Sequence, residues 1–235
     1  MSFISLNFVV LFACTFILYH TLPSRFRKAT LLTASCLFIG FYHLAFLITA
    51  LILTLATFYF GKWIGQAKRE SGMKGIYFSG VCFLVVSWLA FRYADRLTDC
   101  HILFPLGISF YTFQAISYLT EIYWQEEEPE KSLPDFMIYM LFFMKFLSGP
   151  IERASDMLPQ LKSCKATDYT SMVYGMRLIV VGLIKKLILA DSIAPYIDGV
   201  FGSVYTASGV QLLMACLLYQ KELYDDYSGY TELAM

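Results

Sequence analysis

The chain has 235 residues, 58% of them hydrophobic and 15% charged, with a formal net charge of zero. A soluble domain runs nearer half apolar and a quarter charged, and a chain of this length still leaves much of its surface outside, so the apolar excess must face lipid. Zero net charge gives no global signal for nucleic acid, and the cysteines show neither a CxxC pair nor a Cys/His metal spacing.

The expected fold is all-α, a single polytopic membrane domain over residues 1–235 that mixes transmembrane helices with short, re-entrant and interfacial ones. Phe3 to Tyr19 lacks a basic leading segment and a small-x-small cleavage site, and its basic cluster, Arg25, Arg27 and Lys28, follows it. It reads as a retained span with the N-terminus outside. Ala29 to Gly61 carries no formal charge and is too long for one crossing of roughly 20 residues. Basic residues flank it on both sides (Arg25, Arg27, Lys28; Lys62, Lys68, Arg69, Lys74), so it must go out and return. Two short tilted helices, or a re-entrant pair, turning near Tyr42-His43 satisfy this.

Gly75 to Phe91 crosses outward, and Ile102 to Trp124 returns, interrupted by Pro105. The acidic loop Gln125 to Asp135 is expected to be solvated and mobile. Phe136 to Ile151 is apolar but holds Lys145 and a Gly149-Pro150 break, and enters the bilayer without crossing cleanly. Tyr169 to Ala190 is amphipathic, with Arg177, Lys185 and Lys186; it lies in the interface or spans with snorkelling lysines. Val200 to Tyr219 is the last apolar run. The chain stops at Met235 within a segment that reads as the opening of another helix, as a truncated reading frame or a fragment would.

Three stretches are polar for their position. In Phe104 to Trp124, Ser109, Thr112 and Glu121 fall near one helical face and Gln114 and Ser117 near another; they serve as glue between helices or line a tunnel. In Phe146-Leu-Ser-Gly-Pro-Ile-Glu-Arg153, Gly149-Pro150 breaks a helix, leaving either a loop with a charge pair or a broken helix usable as an anion site. In Tyr224-Asp-Asp-Tyr-Ser-Gly-Tyr230, acids and aromatics sit at a span edge, where an interfacial turn would also explain them. His20, His43 and His101 have no Ser/Asp or Cys/Asp partner at a recognisable spacing and read as interfacial residues. Cys14, Cys36, Cys82, Cys100, Cys164 and Cys216 read as small lipid- or core-facing side chains. There is no nucleotide loop, GxSxG or HExxH.

Together these stretches resemble the membrane-bound O-acyltransferase (MBOAT) family, in its bacterial alginate and polysaccharide O-acetyltransferase branch. Pro105-Leu-Gly-Ile-Ser-Phe-Tyr-Thr-Phe-Gln-Ala-Ile-Ser-Tyr118 is similar to that branch's long signature. Ser148-Gly-Pro-Ile-Glu-Arg153 with Leu158-Pro-Gln-Leu161 looks like its GPI-R…PQL element, and Tyr224 to Tyr230 like its YFDFSGY element. The D-alanyl transfer branch differs in the first motif and ranks second. Where the family usually has Gln and Phe, this chain has Glu222 and Asp225, which adds acid and would weaken packing there. The family's catalytic histidine lies in a later Trp-His element, beyond residue 235, so no catalytic residue is assigned here.

The resemblance implies transfer of an acyl group, acetyl from acetyl-CoA, toward hydroxyls of an extracytoplasmic polysaccharide. It implies a multi-pass protein of the cytoplasmic membrane, with an extracytoplasmic acetyltransferase or esterase-like partner protein and no nucleic acid. Ser109, Gln114, Gly149, Pro150, Arg153, Asp226, Ser228 and Tyr230 are the candidate substrate-binding residues, Arg153 being the contact for an anionic donor. No metal is expected and no resident cofactor. The competing reading is a non-catalytic membrane scaffold or an inactive remnant of such an enzyme.

Overall fold

The computed structural model describes residues 6–97, 104–105, 107–146, 149–163 and 168–234. Cys100, His101, Ser148 and Cys164 lie outside the described residues. The chain forms two compact units, Met1–Leu147 with Ile151–Lys165 and Ser148–Pro150 with Ala166–Met235. Each is all-helical, with no strand among the described residues.

In the first unit, α1 (Leu6–Thr21) packs on α2 (Ser24–Tyr42). Pro23 stands at the start of α2, where a missing N–H costs nothing. Arg25, Arg27 and Lys28 therefore begin the helix instead of preceding it. His43 then adopts extended backbone (φ −165°, ψ 135°), and its Nδ1 accepts the Ala45 N–H at 3.3 Å, capping α3 (Leu44–Gln66). The turn expected near Tyr42-His43 is there, but it joins helices of 19 and 23 residues, not two short ones. α4 (Glu70–Leu97) packs on α3 and on α5 (Ile108–Tyr123).

α6 (Leu133–Leu141) is the centre of this unit. It opens with Pro134 and Asp135 in its first turn, a favourable start for a helix. It is apolar on nearly every face, the pattern of a helix enclosed by others, and Phe136, Ile138 and Tyr139 are fully buried. The Phe136 ring lies 4.6 Å from Tyr118 of α5 and 5.5 Å from Phe58 of α3, while Phe143 just beyond it meets Phe8 and Phe38. Nine residues rise only about 13 Å, so the run from Phe136 supplies core and does not cross.

The acidic loop is solvated along most of its length, as its charge suggests, but two of its acids are buried. Glu126 to Glu128 are exposed, but Glu130 is only 4% exposed. Its Oε1 accepts the N–H groups of Lys131 and Ser132, each at 2.9 Å, and its Oε2 meets Lys162 of α7 (Ala154–Ser163) at 2.6 Å. Its own N–H donates to the Tyr118 hydroxyl at 3.0 Å. Asp135, also buried, pairs with Lys28 at 2.8 Å. The hydrogen bond that Lys162 donates to the Glu130 carboxylate raises its ammonium above the ordinary lysine range.

In the second unit, α8 (Tyr169–Leu183) runs into a π-helical stretch, Ile184–Ala190, and then into α9 (Asp191–Gly202). α10 (Gly209–Ala234) packs along all three. The apolar run Val200 to Tyr219 is not one helix but is broken between Gly202 and Gly209, and of the two readings of Tyr224 to Tyr230 the interfacial turn is removed, since the segment lies inside α10. Gly182 and Gly229 let α8 and α10 touch: a Cβ on Gly182 would stand 2.7 Å from the Gly229 carbonyl oxygen.

Among the described residues, two helical stretches, Leu44–Gln66 and Glu70–Tyr93, are long and apolar enough to cross a membrane. Both carry large exposed apolar side chains, Ile48, Ile52 and Trp63 on one and Phe78 and Val86 on the other.

Candidate functional site

The first unit builds its polar site on α5. Gln114 is buried, and its Nε2 donates to the Tyr139 carbonyl at 2.9 Å. That carbonyl is available because α6 ends within two residues, leaving its last-turn oxygens without helical partners. Ser117 donates to Glu121 Oε1 at 3.2 Å, one turn on. Gln114, Ser117 and Glu121 thus share a face, which corrects the placing of Glu121 with Ser109 and Thr112. Positions three and four apart stack on a helix, whereas Thr112 and Glu121 are half a turn out of phase. Glu121 Oε2, Tyr111 Oη and Thr112 Oγ1 are buried with no hydrogen-bond partner among the described residues. Such atoms are rare in folded proteins and mark places where a further group is accommodated.

The other candidate residues of this unit take different positions. Ser109 is half-buried and accepts the indole N–H of Trp88 at 3.0 Å, so it joins α5 to α4. Arg153 is exposed, close enough for its charge to act on the Glu121 carboxylate. The neighbouring Glu152 is held twice by residues that sequence reasoning did not select. The Tyr139 hydroxyl donates to the Glu152 carbonyl at 3.0 Å, and Lys145 Nζ meets its carboxylate at 3.2 Å. Lys145 is buried, also contacts Met157 Sδ at 3.0 Å, and sits 4.5 Å over the Tyr139 ring. One lysine in an otherwise apolar run was the available signal, because a buried ammonium needs a partner.

Gly149 and Pro150 group with the second unit, Gly149 buried and Pro150 half-buried. In that unit Lys186 Nζ lies between Asp226 Oδ1 at 2.6 Å and Asp191 Oδ1 at 2.9 Å, and 5.5 Å over the Tyr230 ring. Asp226 and Tyr230 are therefore brought together, by a lysine outside the candidate set. Lys185 pairs with Glu232. Ser228 Oγ is buried with no hydrogen-bond partner among the described residues. Asp225, expected to weaken packing, is 1% exposed and held by Lys221 one turn back, at 2.5 and 2.6 Å. Among the described residues no group of His, Cys, Asp and Glu could hold a metal ion.

Comparison with known proteins agrees along the whole chain. It is 32% identical to a probable alginate O-acetylase of Azotobacter vinelandii, matching 100% of this chain and 50% of that protein. A probable alginate O-acetylase of Pseudomonas aeruginosa is 30% identical, again over 100% of this chain and 48% of its own length. A peptidoglycan O-acetyltransferase of Helicobacter pylori is 27% identical over 89% of the chain and 47% of that protein. No protein-family model matches. The match along the whole chain places it with these relatives, named as O-acetylases and an O-acetyltransferase. More narrowly, it belongs to the MBOAT-type O-acetyltransferase family, and it spans about half the length of the curated relatives it matches.

Proposed function

We propose that this chain forms part of a membrane-bound O-acyltransferase that moves acetyl from acetyl-CoA toward hydroxyls of an extracytoplasmic polysaccharide. The reading rests above all on the row Gln114, Ser117 and Glu121 on α5, Gln114 and Glu121 buried and Ser117 half-buried, with Arg153 exposed beside it. Polar side chains kept within an apolar surround face a cavity or a partner. In this reading Arg153 takes the anionic groups of the donor through its planar guanidinium. Gln114 and Glu121 shape the wall behind it. In the second unit, Asp226 and Tyr230, brought together at Lys186, and the buried Ser228 are further candidate substrate contacts.

The chain would be multi-pass in the cytoplasmic membrane with its N-terminus outside. The two membrane-length helices support this, as does the basic flanking of α2 and α3 by Arg25, Arg27 and Lys28 and by Lys62, Lys68 and Arg69. A charged thioester stays in the cytoplasm while the acceptor lies outside, so an extracytoplasmic esterase-like partner would receive the acetyl group and deliver it to the polymer.

The test is acetyl transfer by the whole protein in native membranes, followed against acetyl-CoA concentration. Arg153→Ala is expected to raise KM for acetyl-CoA by about ten- to hundredfold, the equivalent of one lost charge-assisted hydrogen bond, with kcat changed far less. Arg153→Lys should recover part of it. An unchanged KM in both variants removes Arg153 from donor binding, and no acetyl-CoA-dependent transfer by the wild type removes the reading.

A further inference from the structure

The groove between α1 and α2 has no part in the site above. It encloses about 440 Å³ and is lined on one side by Leu11, Cys14 and Leu18 and on the other by Phe26, Ala29 and Leu37. Thr15, Thr30 and Thr33 also line it, but their hydroxyls donate to the carbonyls of Leu11, Phe26 and Ala29 in their own helices at 2.7–3.0 Å. A sugar entering the groove would find those donors already engaged, whereas a hydrocarbon chain loses nothing there. From Phe26 to Leu37, α2 rises about 16 Å, close to half of the ~30 Å hydrocarbon slab. That is the depth of one leaflet.

The end of the groove near Leu22 and Phe26 is cationic. Arg25 is exposed, with its guanidinium 4.7 Å over the ring of Phe26. Arg27 and Lys28 follow, and Lys28 pairs with Asp135. α2 has no acid in its first turn, and Pro23 gives no side-chain cap to its first amides. Each of these favours an anion at the mouth.

We propose that this groove is a binding site for one phospholipid with an anionic headgroup. The acyl chain lies between α1 and α2 and the headgroup phosphate lies on Arg25 at the head of α2. The site depends on the chain being in a membrane but not on which group the protein transfers, and its test reads lipid retention rather than activity.

The full chain is extracted in mild detergent from membranes containing phosphatidylethanolamine and phosphatidylglycerol, and bound lipid is identified by native mass spectrometry. Retained phosphatidylglycerol is expected, enriched about fivefold over its bulk share, the effect of one basic residue near an anionic group. Arg25→Glu should bring the headgroup ratio back to bulk while lipid is still retained. Cys14→Trp, which fills the groove, should remove the retained lipid, while Cys82→Trp on the exposed face of α4 should not. Bulk headgroup proportions in the wild type, or equal retention in both tryptophan variants, would each overturn the proposal.

Discussion

Gly107→Ala is the substitution whose cost can be worked most directly from the structure. Gly107 has φ 71° and stands at the head of α5, where its carbonyl accepts the Tyr111 N–H at 3.1 Å. Two separate costs meet there. Left-handed backbone costs an alanine about 1–2 kcal/mol. The new Cβ would stand 2.2 Å from the Phe146 carbonyl oxygen, against 3.4–4 Å for ordinary contact. The obstacle is backbone, so either the first turn of α5 or the turn before Phe146 must shift by about an ångström, an overpacking cost of about 1–3 kcal/mol. That shift would also loosen the stack of Tyr111 on Phe146, whose centroids are 5.4 Å apart. The sum, about 2–5 kcal/mol, is a large part of the 5–15 kcal/mol that holds a typical fold.

Thermal unfolding of the detergent-solubilised chain, followed by tryptophan fluorescence, measures it. Two further variants separate the causes. Gly72→Ala, in the first turns of α4 with open space around it, should be neutral or stabilising by up to about 1 kcal/mol. Gly107→Asn relieves the backbone cost, since asparagine tolerates left-handed φ, but keeps the Cβ. It should therefore unfold within about 1–2 kcal/mol of Gly107→Ala. An asparagine variant as stable as the wild type would refute the contact argument, and an alanine variant as stable as the wild type would refute both.

Further outcomes follow from the same kind of reasoning. Glu130→Ala should lower stability by about 2–3 kcal/mol because two amides lose their acceptor, while Lys162→Ala, on the exposed side of that pair, should cost less than about 1 kcal/mol; thermal unfolding ranks them. The Lys162 pKa is raised by Glu130, so the pair's contribution is complete below the ordinary lysine value of 10.5 and is lost only as pH climbs above it. Stability differences between wild type and Lys162→Ala should then be flat from neutral pH to about pH 9. Gln114→Leu leaves the Tyr139 carbonyl without its donor and should cost about 1–3 kcal/mol in the same assay. Gly182→Ala should lose about 1–3 kcal/mol where α8 meets α10, whereas Gly199→Ala in α9, with nothing nearby, should gain up to about 1 kcal/mol; the opposite order would show that α8 and α10 do not meet at Gly182.

What could be read from the sequence was local. The break at His43 was legible because two basic flanks and an uncharged stretch too long for one span demand a turn. The Gly-Pro break and the polar residues of α5 were legible as residue types out of place in an apolar run. What failed depended on partners distant in the chain. Glu130 and Asp135 look like solvated acids until Lys162 and Lys28, 32 and 107 residues away in sequence, come alongside. Lys145 and Lys186 stood out in the sequence as charges in apolar runs, but their partners, Glu152 and Asp226, are set by the fold. The family resemblance itself was carried by Pro105 to Tyr118, in which Gly107 is required by backbone geometry and Gln114 by the end of α6.

The acids of α10 show why residue type alone left an interfacial turn open for that segment. Asp225, Asp226 and Glu232 within one helix argue for an end at the water boundary. Each is instead matched by a lysine: Lys221 one turn back, and Lys186 and Lys185 from the neighbouring π-helix. Two consecutive residues of an ordinary helix point about 100° apart, which makes it hard for both to serve one partner helix. The wider π-helical turn, with the Asp191 N–H bonded back to the Lys186 carbonyl, lets Lys185 and Lys186 both reach α10. Paired in this way, the acids no longer force the helix out of an apolar surround, since the cost of a buried charge falls steeply once an opposite charge is in contact. The π-helix and the acidic helix are therefore one device, and the polarity that made α10 look like an interfacial turn is what joins it to α8 and α9.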